Sequence, residues 1–119
     1  MSEITFRFDL IFLDEAVFFL DSLQPKTRSK VLYNMWKSRA LLDPVLFKKV
    51  GNEVWEFRTD FANQCIRMMA FWDKRSHVLT WVVVTHGFIK KSGKLPAAQV
   101  NKTIQFMSNY FQDENNKLS

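Results

Sequence analysis

The sequence predicts an α+β domain in which a helical hairpin precedes a small antiparallel sheet and one further helix follows it. Apolar residues alternate with polar ones in several short segments and recur at helical spacing in three others, and Pro or Gly residues separate most of these segments. The predicted order is β-α-α-β-β-β-α, with the helices on one side of the sheet. The chain has 119 residues and is 47% hydrophobic, which suits one domain spanning 1–119 with its own core.

The N-terminal segment is predicted to be a strand followed by a short helix. Its apolar positions have a period of two, which is typical of a strand with one buried face; they are Ile4, Phe6, Phe8 and Leu10. Asp14 then offers an N-cap, and Pro25 ends or restarts the helical pattern that follows.

A second helix is predicted over residues 26–42, and it completes the helical hairpin. Asp43-Pro44 ends it, because the residue before a proline disfavours the helical region. Its predicted buried stripe consists of Val31, Leu32, Met35 and Trp36, and its predicted exposed residues are Lys26, Arg28, Lys30 and Lys37.

Three strands are predicted after Gly51-Asn52, over residues 53–59, 64–73 and 78–86. Alternation in the first of them places Glu56 and Arg58 on one face. The segment 87–96 is predicted to be a linker that ends in a proline suited to a helix start. The last helix is predicted over residues 97–113.

Charge and composition narrow the function classes. The net charge is +5, and residues 25–49 hold seven Lys or Arg and one acid. This surplus favours a polyanionic partner such as nucleic acid, although scattered Lys and Arg can also simply keep a small protein soluble. The single Cys65 and the two histidines predict neither a disulfide, nor a metal site, nor a cofactor. No secretory signal or membrane span is visible, so we expect a cytoplasmic protein that binds no membrane.

The first candidate site is a group of charged residues on two neighbouring strands. Glu56 and Arg58 share a face, and a short hairpin turn would bring Arg67 onto the adjacent strand. Two guanidinium groups on one sheet face can bind a phosphate and stabilise the charge that develops on it. The alternative is a cross-strand ion pair on a solvated sheet face.

The second candidate site is the lysine-rich segment that follows the third of these strands. Lys90, Lys91 and Lys94 lie close together in a glycine-bearing loop, and His86 stands at the strand end. Such a loop can contact a nucleic-acid backbone, or it can be a solvated connection. The candidate RNA contacts are Lys94, Lys74, Arg75, Lys48 and Lys49.

Three motifs in this order resemble a known protein family. They are residues 52–58 (NEVWEFR), residues 66–72 (IRMMAFW) and residues 85–91 (THGFIKK), with Leu95-Pro96 opening the last helix. Together they resemble the phage-derived HigB-like branch of the RelE/ParE toxin superfamily. This chain departs from that branch at Phe57, where Leu is usual, and at its lengthened start, Ile4–Leu13, which aligns loosely.

The resemblance implies the toxin of a type II toxin–antitoxin pair. Such toxins cut messenger RNA on the translating ribosome without a metal, so the implied partners are the ribosome, mRNA and a cognate antitoxin. Carried over by position, the family's two strand arginines fall on Arg58 and Arg67, and its loop lysines fall on Lys90 and Lys91. The alternative is a binding module without catalysis, either a gyrase inhibitor of the ParE kind or an inactive remnant that binds antitoxin or RNA.

The chemistry of such a cut divides the candidate residues by role. Arg58 and Arg67 suit the phosphate, because a guanidinium does not titrate in the relevant range. Lys90 and Lys91 suit contacts to the RNA backbone or proton transfer. Glu56 or His86 would then act as the acid or base, and burial of His86 as a strand residue is the competing interpretation.

Overall fold

The computed structural model describes residues 5–91 and 93–118, and it confirms the α+β class. In this part of the chain five strands form one sheet, and three helices pack on it. The helices span Asp14–Ser22 (α1), Pro25–Ser38 (α2) and Ala97–Leu118 (α3). The strands span Asp9–Phe12 (β1), Phe47–Gly51 (β2), Val54–Phe61 (β3), Gln64–Asp73 (β4) and Trp81–Lys90 (β5).

The sheet has the order β1-β5-β4-β3-β2. Strands β3, β4 and β5 pair antiparallel with one another, as predicted, and β2 pairs antiparallel with β3. Strand β1 instead runs parallel to β5. The alternating segment from Ile4 to Leu10 is a strand only from Asp9 onward, and Ile4 itself lies outside the described residues. Phe6 lies before the strand and instead packs edge-on against Trp36, with ring centroids 5.6 Å apart.

The helices lie on both faces of the sheet, which corrects the prediction of helices on one side. Ala16 of α1 and Met35 of α2 are buried in one core with Met68 of β4. Phe71 of β4 points to the other face, where it contacts the Tyr110 ring of α3 at 5.3 Å between centroids. Residues 66–71 are all buried, because β4 is covered on both faces.

Several other elements differ from the sequence prediction. Helix α2 ends at Ser38, before the proline that was expected to end it, and Leu32 and Trp36 of its predicted buried stripe are 39% and 48% exposed. Strand β2 was not predicted, since its Lys-Lys pair leaves little apolar alternation. Strand β5 continues to Lys90, so residues 87–90 of the predicted linker belong to the sheet.

An irregularity in β5 decides which face His86 occupies. Met69 pairs with His86, but Ala70 pairs with Val84, so Thr85 is an extra residue on β5. Regular alternation would place His86 on the same face as Val84, toward α1. The extra residue turns His86 to the opposite face, where it meets α3.

Candidate nucleic-acid interface

Strands β3 and β4 bring the three predicted charged residues together on one face. Arg58 lies directly opposite Arg67, and Glu56 is two residues earlier on the same face of β3. The Glu56 carboxylate lies between the two guanidinium groups, with Oε2 3.8 Å from Arg58 Nε and Oε1 3.8 Å from Arg67 Nε. These distances are those of ion pairs rather than of hydrogen bonds.

The two arginines differ in their access to solvent. The side chain of Arg67 is 3% exposed, whereas that of Arg58 is 30% exposed. Arg67 Nη1 donates hydrogen bonds to Asp60 Oδ1 and to the carbonyl oxygen of Ile66, both at 3.0 Å. The hydrogen bond from Arg67 lowers the pKa of Asp60. Arg67 is thus held within the protein, while Arg58 is the guanidinium that a ligand can reach.

Arg58 lines a cavity of about 240 Å³ between α2 and β3. This cavity also contains Lys30 and Lys37 of α2, and Asn34 on the same side of the helix. Asn34 Nδ2 donates to Thr59 Oγ1 at 3.1 Å, which joins α2 to β3 beside Arg58. Both lysines were predicted to lie on the exposed side of α2, with no predicted contact to Arg58. The i, i+4 and i+7 spacing of Lys30, Asn34 and Lys37 is the signal that marks one flank of the helix.

The predicted loop lysines divide between the sheet and the connection that follows it. Lys90 pairs with Cys65 at the end of β5 and shares the face of Arg67 and Glu56. Lys91 and Lys94 are exposed beyond the strand. Only Lys90 therefore extends the charged face of the sheet.

His86 is buried, with 2% of its surface exposed. Its Nδ1 lies 2.8 Å from Thr85 Oγ1, and its Nε2 lies 2.8 Å from Gln99 Oε1. The ring also stacks on Phe106 of α3, with centroids 5.8 Å apart. Burial is the main cause that lowers the pKa of His86. Both ring nitrogens thus have partners within the protein.

The remaining candidate RNA contacts do not form one site. Lys49 pairs with Glu53 at 3.2 Å, and its neighbour Lys48 is exposed on β2. Lys74 follows the last residue of β4, and its Nζ lies 5.0 Å from the centre of the Trp72 ring. Arg75 Nε and Nη2 both donate to Asp73, at 2.9 and 2.8 Å. Lys94 is exposed in the segment that leads to α3.

A family model decides the affiliation of the chain. Residues 18–108 match the model described as phage-derived protein Gp49-like (DUF891). The chain belongs to this Gp49-like family. The match begins within α1 and ends within α3, so it includes Arg58, Arg67 and Lys90. No curated protein matches the sequence.

The Gp49-like family is one of RelE/ParE-like toxins, in line with the superfamily that the three motifs suggested. Membership is consistent with the toxin of a toxin–antitoxin pair and with an antitoxin as partner. None of the described helices is long and apolar enough to span a membrane.

The chemistry available to this Gp49-like chain is the binding of an anion at Arg58. Within residues 5–91 and 93–118, no group of three His, Cys, Asp or Glu residues is arranged to hold a metal ion. Arg58 is partly exposed and lines a cavity together with Lys30 and Lys37. The Glu56 carboxylate lies 3.8 Å from its Nε. A phosphodiester fits such a set of cations, since a guanidinium presents paired donors to phosphate oxygens.

Proposed function

We propose that this chain is the toxin of a HigB-like toxin–antitoxin pair and that it cleaves translated mRNA in the cytoplasm without a metal. The observation that carries the proposal is the placement of Arg58 in a Gp49-like chain. Arg58 lines a cavity that two lysines also line, and its guanidinium lies beside the buried Glu56. The cognate antitoxin and the translating ribosome are the proposed partners.

The proposed reaction is an attack by the RNA's own 2′-hydroxyl on the adjacent phosphorus. A base takes the 2′-hydroxyl proton as the 2′ oxygen bonds to phosphorus. The bond from phosphorus to the 5′ oxygen then breaks, and an acid protonates that oxygen, which leaves a 2′,3′-cyclic phosphate and a 5′-hydroxyl. Arg58 would stabilise the added negative charge on the phosphate oxygens, and Arg67 would keep Glu56 beside Arg58.

The acid and base are proposed from the residues that share this face. Glu56 adjoins Arg58 through its Oε2, so we assign it the base role. His86 is the alternative, but both of its ring nitrogens are occupied by Thr85 and Gln99. Lys90, with Lys91 beyond it, is proposed to supply the proton or to contact the RNA backbone.

The test is a cell-free bacterial translation reaction with a defined message, followed by primer extension to map new 5′ ends. We expect new ends only while ribosomes translate, and about a 100-fold slower appearance of these ends with Arg58→Ala, as for loss of one group that stabilises transition-state charge. Arg28→Ala is the matched control, because Arg28 has a similar side-chain exposure of 34% and lies on the opposite flank of α2. Intact message with normal protein yield would overturn the proposal, and DNA damage in cells would then indicate a gyrase inhibitor.

A further inference from the structure

We propose that Lys30, Tyr33 and Lys37, which together form the α2 flank, bind one base and its neighbouring phosphates of a single-stranded RNA. The inference deepens the proposed function and takes RNA as the ligand from it. A strand bound on the α2 flank would continue into the cavity that contains Arg58. The binding itself requires neither cleavage nor a ribosome.

Tyr33 is the aromatic surface of this flank. Its side chain is 53% exposed, although large aromatic residues are usually covered. The ammonium groups of Lys30 and Lys37 lie 5.6 and 5.3 Å from the centre of its ring. An exposed ring between two cations matches the repeat of a single strand, in which each base is flanked by two phosphates.

The same two lysines connect Tyr33 to the cavity. Lys30 and Lys37 line it together with Arg58 and Asn34, so three cations surround a space of about 240 Å³. Helix α2 carries four Lys or Arg residues and no acid between Pro25 and Ser38. A polyanion is therefore attracted to the flank and to the cavity that the same two lysines line.

Asp60 favours RNA over an acidic peptide as the occupant. Asp60 also lines the cavity, and its side chain is 69% exposed. An Asp or Glu side chain that entered the cavity would be repelled by it. A ribose hydroxyl or a base amino group can instead donate a hydrogen bond to it.

The experiment measures binding of a short fluorescein-labelled single-stranded RNA to the whole protein by anisotropy, without ribosomes. We expect Tyr33→Ala to weaken binding by at least about 5-fold, because stacking of one base on an aromatic side chain is worth roughly 1–3 kcal/mol. Tyr33→Phe keeps the ring and should retain affinity. Lys37→Gln should reduce the dependence of log affinity on log salt concentration by about 0.7, the value for one phosphate contact on a single strand.

Arg28→Gln is the matched charge control, since it removes one cation from the opposite flank of α2 and should leave affinity within about twofold. A thermal melt establishes that each variant is folded. Wild-type affinity in folded Tyr33→Ala would overturn the inference. So would an oligoglutamate peptide that competes as well as unlabelled RNA, which would indicate an acidic protein partner.

The outcomes separate this inference from the proposed function. Binding that depends on Tyr33, together with an intact message in the translation reaction, would support the RNA site and reject the ribonuclease. Cleavage of translated message at the wild-type rate by Tyr33→Ala, with unchanged RNA affinity, would support the ribonuclease and reject the RNA site on the α2 flank.

Discussion

Glu56 Oε1 and Arg67 Nε lie 3.8 Å apart in the interior, and neither atom has a hydrogen-bond partner among the described residues. The two side chains are 5% and 3% exposed. Burial of two charges is costly, and a separation beyond hydrogen-bond distance recovers only part of that cost. Stability alone therefore gives little reason to keep this pair.

The position of Arg58 gives a functional reason to keep the buried pair. It is the third member of the cluster, and its guanidinium lies 3.8 Å from the other carboxylate oxygen of Glu56. Long arginine side chains lose rotamer freedom when they are fixed, so a charge behind Arg58 limits where its guanidinium can lie. On this interpretation the buried pair fixes the position of the accessible arginine.

The first prediction concerns removal of the buried charge. Glu56→Gln should lower the free energy of unfolding by about 3 kcal/mol, because Arg67 would remain buried beside a neutral amide. Urea unfolding monitored by tryptophan fluorescence measures this difference. Glu53→Gln is the control and should have no measurable effect, since Glu53 forms an exposed pair with Lys49. Equal stability of the two variants would contradict the prediction.

A second prediction separates stability from function. Replacement of the pair by apolar residues, in Glu56→Leu/Arg67→Met, should leave stability equal to wild type or higher, as is common for buried ion pairs. The same double variant should lose the growth arrest that the proposed function predicts for expression of the wild-type protein, because it lacks both the proposed base Glu56 and the charge that anchors Arg58. A stable double variant that still arrests growth would show that the pair does not serve Arg58.

Much of this cluster could be predicted from the sequence because a strand has a fixed side-chain period. Glu56 and Arg58 are two residues apart, and the four-residue connection 60–63 was enough to place Arg67 on the next strand. The depth at which Arg67 is buried could not be predicted in this way. It depends on the cover over that face of the sheet, which comes from distant parts of the chain.

The cavity beside Arg58 was missed for a related reason. Lys30 and Lys37 belong to α2, and their proximity to β3 depends on how the helix packs on the sheet. A helical pattern shows which flank a residue occupies but not which strand that flank meets. Burial of His86 as a strand residue was one of the two interpretations drawn from the sequence, and the structure agrees with it. The face that His86 occupies could not be predicted, because one extra residue, Thr85, breaks simple alternation.

A third prediction concerns pH. The pKa of His86 is lowered by burial, so the unfolded chain binds a proton more readily than the folded protein. The stability due to neutral His86 is therefore complete above the ordinary pKa of 6.5 and declines as the pH falls below it, toward the lower folded pKa. Thermal melts should show this decline between about pH 7.5 and pH 5, a range chosen to include the ordinary pKa of His.

His86→Gln supplies the comparison for the pH prediction, because it can keep hydrogen bonds to Thr85 and Gln99 without titrating. Its melting temperature should depend less on pH over this range. Lys102 and Glu15, which also influence the pKa of His86, form an ion pair at 2.8 Å and are unchanged in the variant. His77→Gln, at an exposed position, should behave as wild type. Parallel pH profiles for wild type and His86→Gln would contradict the assignment of this pH dependence to His86.

A fourth prediction concerns the attachment of α3 to the sheet. The Tyr110 hydroxyl donates a hydrogen bond to Asp73 Oδ2 at 2.9 Å, and Asp73 is buried. Hydrogen bonds from Arg75, with that from Tyr110, lower the pKa of Asp73 to about 2. Tyr110→Phe should cost about 1.5 kcal/mol in urea unfolding at neutral pH, as for a hydrogen bond to a charged group. Tyr33→Phe, which removes an exposed hydroxyl, is the control and should have no effect.

The fifth prediction concerns the close contact between β5 and α1 at Gly87. A Cβ at this position would lie 2.3 Å from Phe19 Cδ2 and 2.5 Å from Met68 Sδ. Gly87→Ala should therefore destabilise the fold by about 1–3 kcal/mol, the usual cost of overpacking a core. Phe19→Leu, a smaller side chain, should recover part of that loss when the two changes are combined. Residues in contact are expected to couple in a double-mutant cycle. Additive losses would therefore show that the Phe19 ring does not exclude a side chain at position 87.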